Sequence, residues 1–274
     1  MALTIVKNEN EDIYVYDLAR NNLMQITFDE ADDSIPLWTR NGKRILFASN
    51  RSDGFGIYSK AADGTGEDEL LGSLFKTLTV PFSWSGDSKT LIIMQFNPGF
   101  SLDIGRMSME GDTNVELLLK EKYQEAWPQI SPDGRWLSYM SAESGQNEVF
   151  VRPFPNLNGG RWKVSTGEGA LQRWSPDGDE LFYWTIEGKM MAVGVETDPT
   201  FKPGTPRELF QRTSFTTTSM GLTSVEWDVS PDGKRFLMLK SSTTTEDESA
   251  ATGPRKFNIV LNWFEELKER VPVP

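Results

Sequence analysis

The sequence predicts an all-β fold, a six-bladed β-propeller of four-stranded antiparallel blades with incomplete first and last blades and a short C-terminal helix. Three observations support this prediction. A short turn motif recurs along the chain, the spacing between its copies is nearly constant, and each interval contains four short apolar segments. Regular repetition of one sheet unit is typical of propellers.

The recurring turn reads SPDG at residues 131–134, 175–178 and 230–233, with related turns around Asn41 and Asp87. Pro presets the backbone for an early turn position, Asp accepts hydrogen bonds from its own backbone, and Gly tolerates a positive φ. The Asn or Asp positions are 46, 46, 44 and 55 residues apart: Asn41, Asp87, Asp133, Asp177 and Asp232. A β-sandwich whose turns merely coincide is the alternative, and the regular spacing argues against it.

Each turn connects an inner strand to the second of four strands. In the second unit these segments read DSIPLW, RILFAS, FGIYSKA and DELLG. The inner strand ends in Trp or another large apolar residue, which we expect to wedge between adjacent blades because an indole ring removes roughly 150–250 Å² from water when it is buried. Four strands in about 45 residues is the pattern of one blade.

We predict one domain, 1–274, with approximate blade limits that follow the turn spacing. The N-terminal segments ALTIV, EDIYVYDLA and LMQITF form a first blade of three strands, and FNIVLNWFEEL supplies the last strand. The segment WFEELKERVP predicts one short amphipathic helix in the tail 264–274. Five blades with unpaired chain ends remain the alternative. The blade limits are 1–30, 31–75, 76–121, 122–167, 168–213 and 222–264.

Charge and composition exclude several functions. The net charge of −12 repels nucleic-acid phosphates and anionic lipid. The chain has no His and no Cys, so it has no Ser-His-Asp triad, thiolate nucleophile or Cys-based zinc site. Remaining chemistry would use carboxylates, Lys, Tyr, Ser, Thr or a hard cation such as calcium.

Membrane and secretion patterns are also missing from the sequence. No run of about 18 apolar residues predicts a membrane span, and MALTIVKNENEDIY does not resemble a secretory leader. We therefore expect either a cytoplasmic protein or, if the chain is trimmed from a receptor, an extracytoplasmic sensor whose leader and anchor lie elsewhere.

Candidate site residues come from the predicted inner strands, because propellers bind ligands where these strands surround the axis. These strands are mostly apolar, and their polar exceptions predict a ligand-binding channel mouth. Clustered carboxylates there would raise one another's pKa or bind a calcium ion. The alternative is a set of internal ion pairs such as Arg173 with Asp228. The candidates are Asp33, Glu125, Gln129, Arg173, Glu226 and Asp228.

The stretch PLWTRNGKRILFASNRSDGFGIYSKAADGTG resembles a blade of the TolB-type, WD-repeat-like propellers. More specifically, EDIYVYDLARNNLMQITFD, SPDGRWLSYMSAESGQNEVFVRPFPNLNGGRWKVST and VLNWFEELKERVP resemble the propeller region attached to bacterial receptor-type serine/threonine kinases. This resemblance covers essentially the whole chain. It implies sensing of a protein or ligand, and a kinase domain in a longer parent protein.

The function that these observations predict is non-catalytic recognition of a protein segment or small ligand at a channel mouth. The resemblance supplies no catalytic residue, and the chain has no glycine-rich phosphate loop, HRD-like loop or DFG motif. No cofactor is required by this prediction. The alternative is a metal-assisted hydrolase of an ester, lactone or glycan, in which channel carboxylates bind a calcium-like cation.

Overall fold

The computed structural model describes residues 1–51, 54–99, 101–111, 113–212 and 227–238. Within these ranges the chain folds into six antiparallel sheets, each built from strands that are consecutive in sequence. The helical structure in these ranges is one 3₁₀ turn, Leu157–Gly159. The prediction of an all-β propeller is therefore confirmed.

The first three blades contain strands β1 to β11. Blade 1 contains β1 (Ala2–Lys7), β2 (Asn10–Asp17) and β3 (Asn22–Gln25). Blade 2 contains β4 (Asp33–Trp38), β5 (Arg44–Ser49), β6 (Phe55–Ala61) and β7 (Glu69–Phe75). Blade 3 contains β8 (Thr79–Trp84), β9 (Thr90–Asn97), β10 (Ser101–Ser108) and β11 (Val115–Leu119).

The remaining sheets contain strands β12 to β22. Blade 4 contains β12 (Glu125–Ile130), β13 (Trp136–Ser141), β14 (Glu148–Pro153) and β15 (Trp162–Lys163). Blade 5 contains β16 (Ala170–Trp174), β17 (Glu180–Trp184), β18 (Lys189–Glu196), β19 (Lys202–Pro203) and β20 (Arg207–Gln211). A two-stranded hairpin follows, β21 (Trp227–Val229) and β22 (Phe236–Met238).

The blade count corrects the sequence prediction, because the described residues form five blades and not six. The fifth turn motif, at 230–233 in the sixth predicted unit, folds as expected and joins β21 to β22. The third and fourth strands predicted for this unit lie after Met238, outside the described residues. The predicted C-terminal helix in 264–274 also lies outside them, so the single-domain limits stay a prediction.

The recurring turn is held by the same hydrogen bonds in successive units. In blade 4, Ser131 Oγ donates to Asp133 Oδ1 at 2.5 Å and accepts from the Trp136 backbone N–H at 3.0 Å. Gly134 follows with φ +78°, a conformation that Gly adopts without strain. Equivalent pairs occur at Ser85 and Asp87, Ser175 and Asp177, and Ser230 and Asp232. This hydrogen-bonded turn therefore reverses the chain between the first and second strands of each unit that contains it.

The predicted indole wedges are confirmed. Trp84, at the end of β8 in blade 3, packs against Leu46 and Ile57 of blade 2. Trp174, at the end of β16 in blade 5, packs against Val149 and other apolar residues of blade 4. Each indole therefore fills the interface with the preceding blade.

Hydrogen bonds also join each sheet to the next near the axis. They satisfy polar groups on the inner edges of the blades, which would otherwise be buried without partners. The bonds run from Ile35 N to Thr4 Oγ1 at 3.1 Å, Trp84 Nε1 to the Trp38 carbonyl at 2.9 Å, Ile130 N to Ser83 Oγ at 3.0 Å, Trp174 Nε1 to the Gln129 carbonyl at 3.3 Å and Trp227 Nε1 to the Leu171 carbonyl at 3.1 Å.

Every four- or five-stranded blade has a β-bulge at the same place in its inner strand. In three blades the residue directly after the start of the bulge has a positive φ: Ile35 at +56°, Trp127 at +53° and Leu171 at +56°. Non-glycine residues rarely adopt this conformation, so the surrounding packing must hold it. Trp127 and Leu171 belong to one apolar cluster that Ile35 also contacts. The bulges therefore help to fill the centre of the ring with apolar side chains.

Candidate functional site

The inner strands all begin at one end of the ring, which we call the strand-start mouth. Strands β4, β8 and β12 begin with Asp33, Thr79 and Glu125, and Gly169 directly precedes β16. The second strand of each blade runs antiparallel to the first, so the loop that follows it reaches the same end. Side chains from these two elements therefore meet at this mouth.

The structure divides the predicted site residues between the two ends of the ring. Asp33 and Glu125 lie at the strand-start mouth. Gln129 and Arg173 lie near the turns, and a four-residue separation such as Glu125 to Gln129 corresponds to roughly 13 Å along a strand. Asp228 also lies near its turn, whereas Glu226 is outside the described residues.

The residues near the turns make contacts within the ring. Arg173 Nε lies 3.8 Å from Asp228 Oδ1, and Arg173 Nη1 donates to the Gln172 carbonyl at 3.3 Å. Burial lowers the pKa of Arg173, and the charge of Asp228 opposes this effect. Gln129 Nε2 donates to the Phe82 carbonyl of the preceding blade at 3.3 Å. The internal ion pair of Arg173 with Asp228 is therefore present.

Asp33 is completely buried, and its charge is paired with Arg51. Arg51 Nη2 lies 2.6 Å from Asp33 Oδ2, and Nη1 lies 2.5 Å from Asp68 Oδ2. The Arg51 guanidinium also lies over the Tyr58 ring, 4.9 Å from its centroid. Burial raises the pKa of Asp33, and the charge and hydrogen bond of Arg51 counteract part of this shift. Asp33 Oδ1 has no hydrogen-bond partner among the described residues. This arrangement is an internal ion cluster of blade 2.

Glu125 is equally buried but has no such partner. Glu125 is 1% exposed, and its Oε2 atom has no hydrogen-bond partner among the described residues. Burial raises the pKa of Glu125 to about 7, and the charge of Glu121 adds to this shift, while Arg152 and Arg161 oppose it. Near neutral pH the protonated and ionised forms of this carboxyl group are therefore both populated.

Two arginines of blade 4, Arg152 and Arg161, lie near enough for their charges to act on Glu125. Arg152 Nε donates to Tyr139 Oη at 2.9 Å. The Arg161 guanidinium lies 3.7 Å from the centroid of the Phe150 ring and forms an ion pair with Glu143. Its Nε and Nη2 atoms are buried and have no hydrogen-bond partner among the described residues. Unpartnered donors and an unpartnered acceptor thus occur in one part of the mouth.

The other two mouth positions are already satisfied. Thr79 Oγ1 accepts a hydrogen bond from Gln95 Nε2 at 3.0 Å and donates to the Thr77 carbonyl at 3.1 Å. At Gly169, an added Cβ atom would lie 2.8 Å from the Tyr183 ring, so the tyrosine occupies the space of a side chain. Among the four described mouth positions, Glu125 is therefore the one whose carboxylate has neither an ion pair nor a hydrogen bond within the chain.

The sequence did not reveal the residues that give Asp33 an ion pair and leave Glu125 without one. These are Arg51, Glu143 and Arg161. An alignment of the blades contains a signal for two of them, because Arg51 follows Ser49 by two residues and Glu143 follows Ser141 by two residues. The opposite charges at this equivalent loop position indicate that the two blades use different ion pairs.

The described residues contain neither a metal-binding cluster nor a membrane-spanning helix. Across the described ranges, no group of three or more Asp, Glu, His or Cys side chains is arranged to hold a metal ion. No helix in the part of the chain that the structure covers is long and apolar enough to cross a membrane.

Consecutive antiparallel sheets arranged around a shared apolar centre define a β-propeller. The family model described as the TolB beta propeller domain matches residues 1–151, more than half of the chain. The chain therefore belongs to the TolB β-propeller domain family. A comparison with curated proteins finds no match.

Solved structures share this fold at low sequence identity. TolB from Acinetobacter baumannii has a TM-score of 0.63 and 18% identity, over 87% of this chain and 57% of that chain. An oligogalacturonate lyase in complex with manganese has a TM-score of 0.61 and 11% identity, over 95% and 85%. A puromycin-hydrolyzing peptidase of Mycobacterium tuberculosis has a TM-score of 0.59 and 13% identity, over 87% and 43%. At these identities the likeness concerns the fold alone.

Proposed function

We propose that this chain is a non-catalytic recognition propeller that binds a protein segment or a small ligand at the strand-start mouth, with Glu125 at the binding site. The observation that carries the proposal is the buried Glu125 carboxyl group without a partner. Burying an ionisable group without a partner costs stability. Such groups occur disproportionately at functional sites, where a ligand supplies the missing interaction.

The fold supports the same proposal. The turns, indole wedges and bonds between blades hold the start of β12 in place, so little ordering is required when a ligand binds. The Glu125 carboxyl has a pKa of about 7, and a ligand that prefers one protonation state would bind in a pH-dependent way near neutrality. The family membership places this chain among propellers but names no ligand.

A ligand screen with a matched variant tests this function. Peptides and metabolites are screened by thermal shift at pH 6 and pH 8, and the hits are measured by calorimetry. The variant is Glu125→Gln, and the control is Glu67→Gln, which removes one charge from an exposed loop residue. We expect hits that bind at least tenfold more weakly to Glu125→Gln and equally well to the control. Equal binding to all three proteins would show that this mouth is not the site.

The partner class follows from charge. We propose a protein segment or small molecule, and not a nucleic acid, because the net charge is −12. The resemblance to kinase-attached propellers adds a proposal about the parent protein, in which ligand binding is relayed to a kinase domain. A chimera with a receptor kinase module would test it, since addition of a verified ligand should change autophosphorylation and Glu125→Gln should remove that change.

The alternative is a metal-assisted hydrolase that uses a calcium-like cation. The fold of the manganese-bound lyase gives it some support, but the described carboxylates do not fit a metal site. Asp33 is paired with Arg51, and Glu125 lies near two arginines. Chelator-sensitive turnover of an ester, lactone or glycan, abolished in Glu125→Gln, would favour this alternative.

A further inference from the structure

The first strand of blade 1 has one side that no described strand covers. β1 pairs with β2 along its whole length, and the sheet has the order β1-β2-β3, so β1 is an edge strand. In each of blades 2 to 5 the second strand lies between the inner strand and the third strand. If β1 is a second strand, its uncovered side is the place where an inner strand pairs in the other blades.

The sequence and the strand pairing identify β1 as a second strand. The segments DIYV in β2 and GIYS in β6 align Ile13 with Ile57. Ile13 pairs with Thr4, and Ile57 pairs with Ala48 of the second strand of blade 2. Thr4 therefore has the position of Ala48. In blade 2 the residue that pairs with Ala48 from the inner strand is Ser34.

The uncovered side of β1 presents backbone hydrogen-bonding groups. The Met1 ammonium group donates to the Tyr16 carbonyl at 3.0 Å, and the Tyr16 N–H donates to the Met1 carbonyl at 2.8 Å. Bonded and non-bonded pairs alternate in an antiparallel ladder, so Ala2, Thr4 and Val6 direct their N–H and C=O groups away from β2. No backbone partner for these groups occurs in the described ranges. Val6 is 52% exposed and the other two residues are half-buried, so solvent reaches this edge.

The inner strands of the other blades show which kind of segment fits such an edge. In blades 2, 3 and 4 they are six residues long, and each contains one proline: Pro36, Pro81 and Pro128. In blades 2 and 3 they end in Trp38 and Trp84. Proline restricts the free segment, so less conformational entropy is lost when the segment is fixed as a strand.

The inner strand of blade 3, TVPFSW at Thr79–Trp84, is the best template for a separate peptide. All six of its residues are buried in its own blade. In blades 2 and 4 the third residue of the inner strand has a positive φ, at Ile35 and Trp127, which costs energy for residues other than glycine. Blade 3 has Pro81 at this place, and the proline ring fixes φ near about −65°. A free peptide with this sequence avoids the strained conformation.

We propose that the open edge of β1, formed by Ala2, Thr4 and Val6, binds an extended segment of another protein by antiparallel strand addition. The segment has the length of an inner strand, contains Pro and ends in Trp. Main-chain hydrogen bonds supply the affinity in this mode of recognition, and the side chains supply the specificity. The site is separate from Glu125, so the inference does not depend on the proposed function.

The sequence of the chain favours another protein as the source of the segment. The inner strand of blade 3 is buried along its whole length, so a second copy of the chain would have to unfold a blade to donate it. The C-terminal segment FNIVLNW, at 257–263, contains no Pro, and its letters match the third-strand segment FGIYSKA better than they match TVPFSW.

A peptide titration on the full chain tests the site. An acetylated peptide with the sequence TVPFSW is added to ¹⁵N-labelled protein, and NMR follows hydrogen exchange of the backbone amides. We expect exchange at the Thr4 and Val6 N–H groups to slow at least tenfold at saturation, because the peptide hydrogen-bonds them. Exchange at Ile5 should change little, since its N–H already faces β2. Unchanged exchange at Thr4 and Val6 would overturn the proposal.

Modified peptides test the pairing and the sequence preference. Val80 pairs with Met94 as Ser34 pairs with Ala48, so the valine of the peptide should hydrogen-bond Thr4. N-methylation of this valine should weaken binding at least tenfold, whereas N-methylation of the peptide's threonine, whose N–H faces away from β1, should leave binding nearly unchanged. Replacement of the tryptophan by alanine should also weaken binding at least tenfold. Equal binding of all these peptides would contradict strand addition.

Disulfide capture tests the register, because the chain contains no Cys of its own. Thr79 pairs with Gln95, the position that corresponds to Ile5 in β1. The peptide CVPFSW should therefore form a disulfide with Ile5→Cys at least tenfold faster than with Leu23→Cys, a 41% exposed position in the outer strand of the same blade. Equal rates for the two variants would show that the peptide does not pair with β1 in this register.

Hydrogen exchange without peptide identifies the other possible occupants. Slow exchange at Thr4 and Val6 in dilute protein would show that the chain's own residues cover the edge. Slow exchange that develops only at high protein concentration, together with dimers in sedimentation, would assign the edge to a second copy of the chain. Either result would overturn the proposal, whereas rapid exchange at all protein concentrations supports it.

Discussion

Arg51 donates a hydrogen bond from Nη2 to Oδ2 of Asp33 at 2.6 Å within blade 2. Glu125 begins the inner strand of blade 4 at the equivalent place, and no arginine among the described residues forms an ion pair with its carboxylate. The two blades therefore share a scaffold and differ in how a buried carboxylate is neutralised. This difference separates an internal ion cluster from a candidate binding site.

The ion cluster of blade 2 predicts a large loss of stability when its cation is removed. Arg51→Met leaves the buried Asp33 and the mostly buried Asp68 without their shared partner. Breaking a buried pair in this way costs about 3–5 kcal/mol. Urea unfolding at pH 7 measures this loss.

The control is an exposed ion pair. Arg106→Met breaks the contact with Glu116, whose side chain is 63% exposed, and we expect a loss below about 1 kcal/mol. Similar losses for both variants would show that Arg51 does not neutralise a buried cluster.

Glu125→Gln should change how stability depends on pH. The pKa of Glu125 in the folded protein, about 7, lies above the ordinary value of 4.5, so the folded state holds the proton more tightly. Stability contributed by this group is therefore lost as pH rises from about 4.5 to 7. The glutamine variant lacks this loss. Its free energy of unfolding should rise relative to the unaltered protein by up to about 3 kcal/mol between pH 4 and pH 8. A difference that is constant over this pH range would contradict the prediction.

Gly169→Ala should destabilise the mouth of blade 5. The new Cβ atom would lie 2.8 Å from the Tyr183 ring and 2.9 Å from Ser165 Cβ, so buried side chains must move. Such overpacking costs about 1–3 kcal/mol. Gly194→Ala is the matched control, because no atom lies within 4 Å of its added Cβ, and its stability should be unchanged or slightly higher in thermal unfolding.

The hydrogen bond of the indole wedge predicts a difference between two tryptophans of similar burial. Trp84 Nε1 donates to the Trp38 carbonyl at 2.9 Å, whereas Trp136 Nε1 has no partner among the described residues. Trp84→Phe loses a hydrogen bond and leaves a carbonyl unpaired, but Trp136→Phe removes an unsatisfied donor. We expect Trp84→Phe to be about 1–2 kcal/mol more destabilising in urea unfolding. Equal losses would indicate that packing alone determines the effect.

Local chemistry explains what could be predicted from sequence. The turns around Asp133 and Asp177 depend on four adjacent residues, so their recurrence revealed the blades directly. The wedge role of Trp84 followed from the repeat, because every blade must bury its face against a neighbour. The strands of the sixth unit were harder to predict beyond Met238, because a long polar segment interrupts the repeat of apolar strands there.

Long-range contacts explain what could not be predicted. Asp33 and Glu125 were both recognisable as polar exceptions in apolar strands. Their difference depends on Arg51, which reaches Asp33 from the loop after β5, and on Glu143, which occupies the equivalent loop position in blade 4. Gln129 and Arg173 were grouped with them because the sequence does not show which end of a strand a side chain occupies. The length of one strand therefore separates Asp33 and Glu125, at one end of the ring, from Gln129 and Arg173, at the other.

The pKa of Glu125 tests the central claim most directly. A pH titration of the protein labelled with ¹³C at the Glu carboxyl carbons follows the Glu125 resonance, which Glu125→Gln assigns by its disappearance. We expect a midpoint of about 7. A midpoint at or below the ordinary value of 4.5 would show that the carboxylate has a partner, and the binding site proposed here would not exist.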